Sequence, residues 1–95
     1  MTQNSLEQIM QKQGRNAAIA IVAEGKTVGL TCDNKRRSLH ASEKDPASEY
    51  FNQGRECYHI FTQALTEKLE DILSKRKITY HYVIPAWDEP INLFI

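Results

Sequence analysis

One stretch constrains this chain more than any other. Between Pro46 and Lys75, apolar residues recur at spacings of three and four: Tyr50, Phe51, Cys57, Tyr58, Phe61, Ala64, Leu65, Leu69, Ile72 and Leu73. That is the period of an amphipathic helix. Asp45 suits the N-cap and Pro46 the first helical position. Lys75, Arg76 and Lys77 stand where cations meet the negative end of the helix dipole. A continuous helix over this stretch would span about 45 Å. A compact domain of this size has a diameter of roughly 30–35 Å. Either the helix breaks near Gly54, which lies in the same stripe, or part of the stripe meets a second chain. Tyr50, Phe51, Gly54 and Tyr58 are therefore the expected interface of a homodimer, the commonest symmetric solution.

The remaining segments read as one more helix and a set of strands. Ser5 to Gln8 fits a capping box, Leu6, Ile9 and Met10 share a helical face, and Gly14 is a natural stop. Residues 16–23, NAAIAIVA, and 26–32, KTVGLTC, alternate with a period of two around the turn signal Glu24-Gly25, which predicts a β-hairpin. Residues 33–45 are polar and unpatterned, the signature of a mobile loop. Residues 78–84, ITYHYVI, alternate again, with Ile78, Tyr80, Tyr82 and Ile84 on one face, and Pro85 ends the run. INLFI at 91–95 suits a last strand. The expected fold is a single α+β domain over 1–95. It is a two-layer sandwich of order α-β-β-α-β-β, with an antiparallel sheet of three to four strands and one long helix across a face.

Composition narrows the function classes. Twelve Lys and Arg balance twelve Asp and Glu, and 41% of residues are apolar. A disordered tail would be less apolar and more charged. No apolar run approaches the ~20 residues of a membrane span, and MTQNSLEQIM lacks a signal-peptide core. Cys32 and Cys57 give no disulfide framework; they read as buried thiols of a cytoplasmic protein.

Catalysis has no visible constellation. Cys57 and His59 are two apart on a helix and point about 200° away from each other. His40, His59, His81 and the two cysteines lack the paired spacing of a zinc site. The four glycines form no phosphate-binding loop. The expectation is a non-enzymatic protein without metal or cofactor that acts through protein–protein contact as a homodimer. Its size suits the small accessory proteins that phages and other mobile elements carry. The alternative is a nucleic-acid-associated protein. Two basic clusters, Lys35-Arg36-Arg37 and Lys75-Arg76-Lys77, would contact phosphates, with Trp87 or a tyrosine stacking on bases. Exposed basic runs of this kind would contribute little to stability.

Overall fold

The computed structural model describes residues 3–90. Three helices make up its regular structure: α1 (Gln3–Glu24), α2 (Val28–Ser42) and α3 (Gly54–Arg76). Among the described residues there is no strand. The chain is a small helical bundle in which α3 touches both other helices and α1 packs chiefly on α3.

Helix α1 begins before Ser5 and runs straight through Gly14. A Cβ at Gly14 would lie 2.4 Å from the Phe61 carbonyl oxygen and 2.9 Å from the Ala64 Cβ. The glycine is there because α3 comes too close for a side chain, not to stop the helix. Met10, Ala18 and Ile21 continue the same buried face toward Phe61, Leu65 and Leu69. The helix stops instead at Gly25, which has φ +67° and lets the Lys26 N–H reach back to the Ile21 carbonyl at 3.2 Å. That is the left-handed cap that glycine favours.

Helix α2 buries Val28, Cys32, Arg36 and Leu39, spaced by four, four and three. Residues 43–53 form turns. The Asp45 carboxylate accepts from the Ala47 N–H at 3.0 Å and the Ser48 hydroxyl oxygen accepts from the Tyr50 N–H at 3.0 Å. Asn52, at φ 61°, reverses the chain before α3. Helix α3 ends in a Schellman arrangement. Lys77 is left-handed at φ 56°, its N–H meets the Ser74 carbonyl, and the Ile78 N–H meets the Leu73 carbonyl at 3.0 Å.

From Lys77 the chain is extended and returns along α3 toward its N-terminal end. The Tyr82 hydroxyl donates to Glu70 at 3.1 Å, the Tyr58 hydroxyl donates to the Pro85 carbonyl, and the Trp87 indole covers Gly54. Tyr82, Ile84 and Trp87 seal the side of the core that α2 and α3 leave open.

The α+β sandwich is thus overturned: both expected hairpin strands lie in helices, and no sheet forms among the described residues. Residues 16–23 continue α1, and 28–32 open α2. The polar segment expected as a loop from 33 is helical to Ser42. Residues 78–84 run back along α3 without forming the expected strand; among the described residues no strand neighbours them, and Ile78 and Tyr80 are exposed rather than core. The long helix begins at Gly54, which resolves its length: 23 residues span about 35 Å. The expected strand at 91–95 lies outside the described residues.

Candidate functional site

The most unusual residue in the molecule is Arg36, which is 2% exposed. A buried guanidinium is expensive unless every donor is matched. Here all five are. The Nε and Nη2 groups donate to the Asp33 carboxylate at 3.2 and 2.7 Å. Nη1 donates to the carbonyls of Trp87 at 3.4 Å and Glu89 at 2.5 Å, and Nη2 also reaches the Pro90 carbonyl at 3.4 Å. One side chain of α2 therefore grips three backbone carbonyls at the end of the extended segment.

Its neighbours complete the grip. Asp33 is buried and lies one helical turn before Arg36, and its second oxygen accepts from the Arg37 Nε at 3.0 Å. Burial alone would push the Asp33 carboxyl up; hydrogen bonds and charge from Arg36 and Arg37 outweigh it and hold the group below its ordinary value. His40, one turn after Arg36, stacks its ring on the Trp87 indole at 3.6 Å and 8°. Its Nε2 lies 3.0 Å from the Trp87 carbonyl, which can only accept, so that nitrogen carries the hydrogen. Tyr58 packs a tilted ring against Trp87 at 5.7 Å. Burial, with the nearby Cys32 adding to it, raises the pKa of the Tyr58 hydroxyl, so it remains a donor to Pro85.

The two expected basic clusters fare differently. Lys35 donates to Gln13 of α1 and lies 5.5 Å from the centre of the Phe61 ring. Burial lowers its pKa, with the opposing influence of Cys57 smaller. Lys35, Arg36 and Arg37 are thus held in contacts within the chain. Lys75, Arg76 and Lys77 are exposed at the end of α3, with Lys75 3.3 Å from Asp71. The structure does not bring the clusters into one surface around Trp87, whose ring is buried.

The expected dimer contacts are also divided. Gly54 and Tyr58 are buried within the chain, Tyr50 is half-buried against the core, and Phe51 is 38% exposed. Cys57 faces the core and His59 faces solvent, as the helical spacing requires. Among the described residues no group of three His, Cys, Asp or Glu side chains could hold a metal, and no helix is long and apolar enough to cross a membrane.

Sequence reading missed Asp33 and His40. Their signal was present: Asp33, Arg36, Arg37 and His40 stand at helical spacings of three and four from one another. Chemically, the assembly is a clamp that fixes an extended peptide against two helices, and it brings no nucleophile to a base. Set against known protein families, curated proteins and solved structures, the chain finds no match.

Proposed function

We propose that this chain is a non-enzymatic protein-interaction module that works in the cytoplasm as a homodimer. One observation carries the reading. The extended segment after α3 is held at its far end by Arg36, His40 and Tyr58, while its near end presents Ile78, Tyr80 and Val83 to solvent at 49%, 41% and 77% exposure. Anchored apolar side chains that stay uncovered mark contact surfaces. The buried free thiols Cys32 and Cys57 support a reducing compartment. The inward commitment of Arg36 speaks against the nucleic-acid alternative, because that guanidinium has no donor left for a phosphate.

Sedimentation equilibrium at micromolar concentration tests the reading. The expected mass is twice the 10.9 kDa of one chain. A single-chain mass across the concentration range would refute the homodimer. Tight binding of labelled RNA or DNA with a steep loss of affinity in salt would move the function to nucleic acid.

A further inference from the structure

We infer that two copies of this chain pair through residues 78–84 as antiparallel β-strands around a twofold axis at His81. The inference rests on the homodimer reading above and assigns its surface. Three observations carry it.

The first is conformational. Residues 78–84 are extended and, among the described residues, belong to no sheet. Among the described residues, only the Ile78 N–H of that run has a backbone partner, the Leu73 carbonyl. An anchored extended segment with unpaired N–H and C=O groups is a template for a second strand.

The second is which edge is open. The Val83 carbonyl lies against Gly29 of α2, 3.5 Å from where a Cβ would stand. Backbone groups alternate along a strand. Those of Ile78, Tyr80 and Tyr82 are therefore directed to the opposite edge, away from α2; there the Leu73 carbonyl takes the Ile78 N–H, and the open stretch is that of Tyr80 and Tyr82.

The third is the sequence, which identifies the occupant. Ile78-Thr79-Tyr80-His81-Tyr82-Val83-Ile84 reads almost the same in both directions, the one difference being Thr79 against the similarly shaped Val83. An isologous antiparallel pair places each residue opposite its mirror position. Ile78 would face the partner's Ile84, Thr79 the partner's Val83, and Tyr80 the partner's Tyr82. Aromatic and β-branched cross-strand pairs are the favourable ones. With the Tyr80–Tyr82 edge in use, each tyrosine exchanges both N–H···O bonds with the partner's tyrosine, and the two copies of His81 form the closer, non-hydrogen-bonded pair. A chance strand partner would have no reason to match this symmetry; a second copy places like opposite like at every position except Thr79 and Val83.

Cysteine cross-linking tests the register. In the non-hydrogen-bonded pair the two Cα atoms at 81 would be about 4.5 Å apart, within reach of a disulfide. Under mild oxidation His81→Cys should give a covalent dimer. Val83→Cys, at a position 77% exposed, should not, because its symmetry mate would be about 14 Å away. Thr79→Cys combined with Val83→Cys should restore cross-linking. Tyr80→Pro, which removes an exposed N–H, should weaken the non-covalent dimer by about tenfold. A wild-type dimer in which His81→Cys links no faster than Val83→Cys would overturn this surface and leave the homodimer standing. A wild-type monomer would overturn both.

Discussion

Two seams hold this chain together. Between α1 and α3, Met10, Gly14, Ala18 and Ile21 meet Phe61, Ala64, Leu65 and Leu69 across an apolar boundary in which the backbones nearly touch at Gly14. Between α2 and the returning segment, Asp33, Arg36 and His40 meet three carbonyls and an indole. The first seam spreads its stabilisation over many weak contacts, each worth a fraction of a kcal/mol. The second concentrates it in one guanidinium. Apolar seams tolerate exchange of similar volumes. A buried charged clamp fails when one partner is lost, because the groups left behind are desolvated and unpaired.

The sharpest way to break that contrast is Arg36→Met. The side chain keeps most of its volume, yet Asp33 keeps only Arg37, and the Glu89 and Pro90 carbonyls lose the partner that Arg36 gave them. The loss should be about 3–5 kcal/mol, or a melting temperature lower by roughly 15–30 °C. Thermal melts followed by circular dichroism measure it. A drop of only a degree or two would mean that the carbonyls are served by water and that the clamp is incidental.

Asp33→Asn should have a smaller effect, about 1.5–3 kcal/mol at neutral pH, as charge-assisted bonds become neutral ones. Its pH dependence fixes the cause. The Asp33 carboxyl is held below its ordinary value of 3.8, so its stabilisation is complete above that value and is lost as pH falls through it toward the lowered folded value. Urea titrations from pH 7 down to strong acid should show wild type losing its advantage over the variant in that window. Parallel curves throughout would remove charge from the explanation.

Gly14→Ala has the smallest expected effect. Alanine gains about 1 kcal/mol of helix propensity. The new Cβ meets backbone atoms of α3, and the strain of forcing the helices apart is about 1–3 kcal/mol. A net loss of about 1 kcal/mol in chemical denaturation is expected. A stabilised variant would show that the seam yields more easily than the clamp.

The same contrast explains what could be read from the amino acids alone. Helix α3 was legible because Tyr58, Phe61, Leu65 and Leu69 admit only a helical period. The hairpin reading of 16–32 failed on an ambiguity. Val28 and Cys32 are four apart, which puts them on one side of a strand and also on one face of a helix. Gly25 reads as a turn signal and does take a positive φ, as a helix stop rather than a hairpin turn. The clamp was hidden for a different reason. Patterning assumes that charged residues face water, and Arg36 occupies the apolar stripe of α2 between Cys32 and Leu39. Removing that assumption turns residues 33–42 from an unpatterned loop into an amphipathic helix. The run at 78–84 is not assigned as a strand, and the two segments of the expected hairpin, which would have started its sheet, lie in α1 and α2.

The two cysteines, buried in the core from opposite helices, have a consequence for reactivity. Cys32 is pushed up to about 11 by burial, and burial, with Glu56 adding to it, also raises Cys57. A thiol that is neither ionised nor reachable does not attack an alkylating reagent. Labelling of the native chain must therefore wait for its core to open, and the modification rate reports how often that happens. A cysteine placed on the surface reacts without waiting, so the two time courses separate opening of the fold from chemistry at its edge.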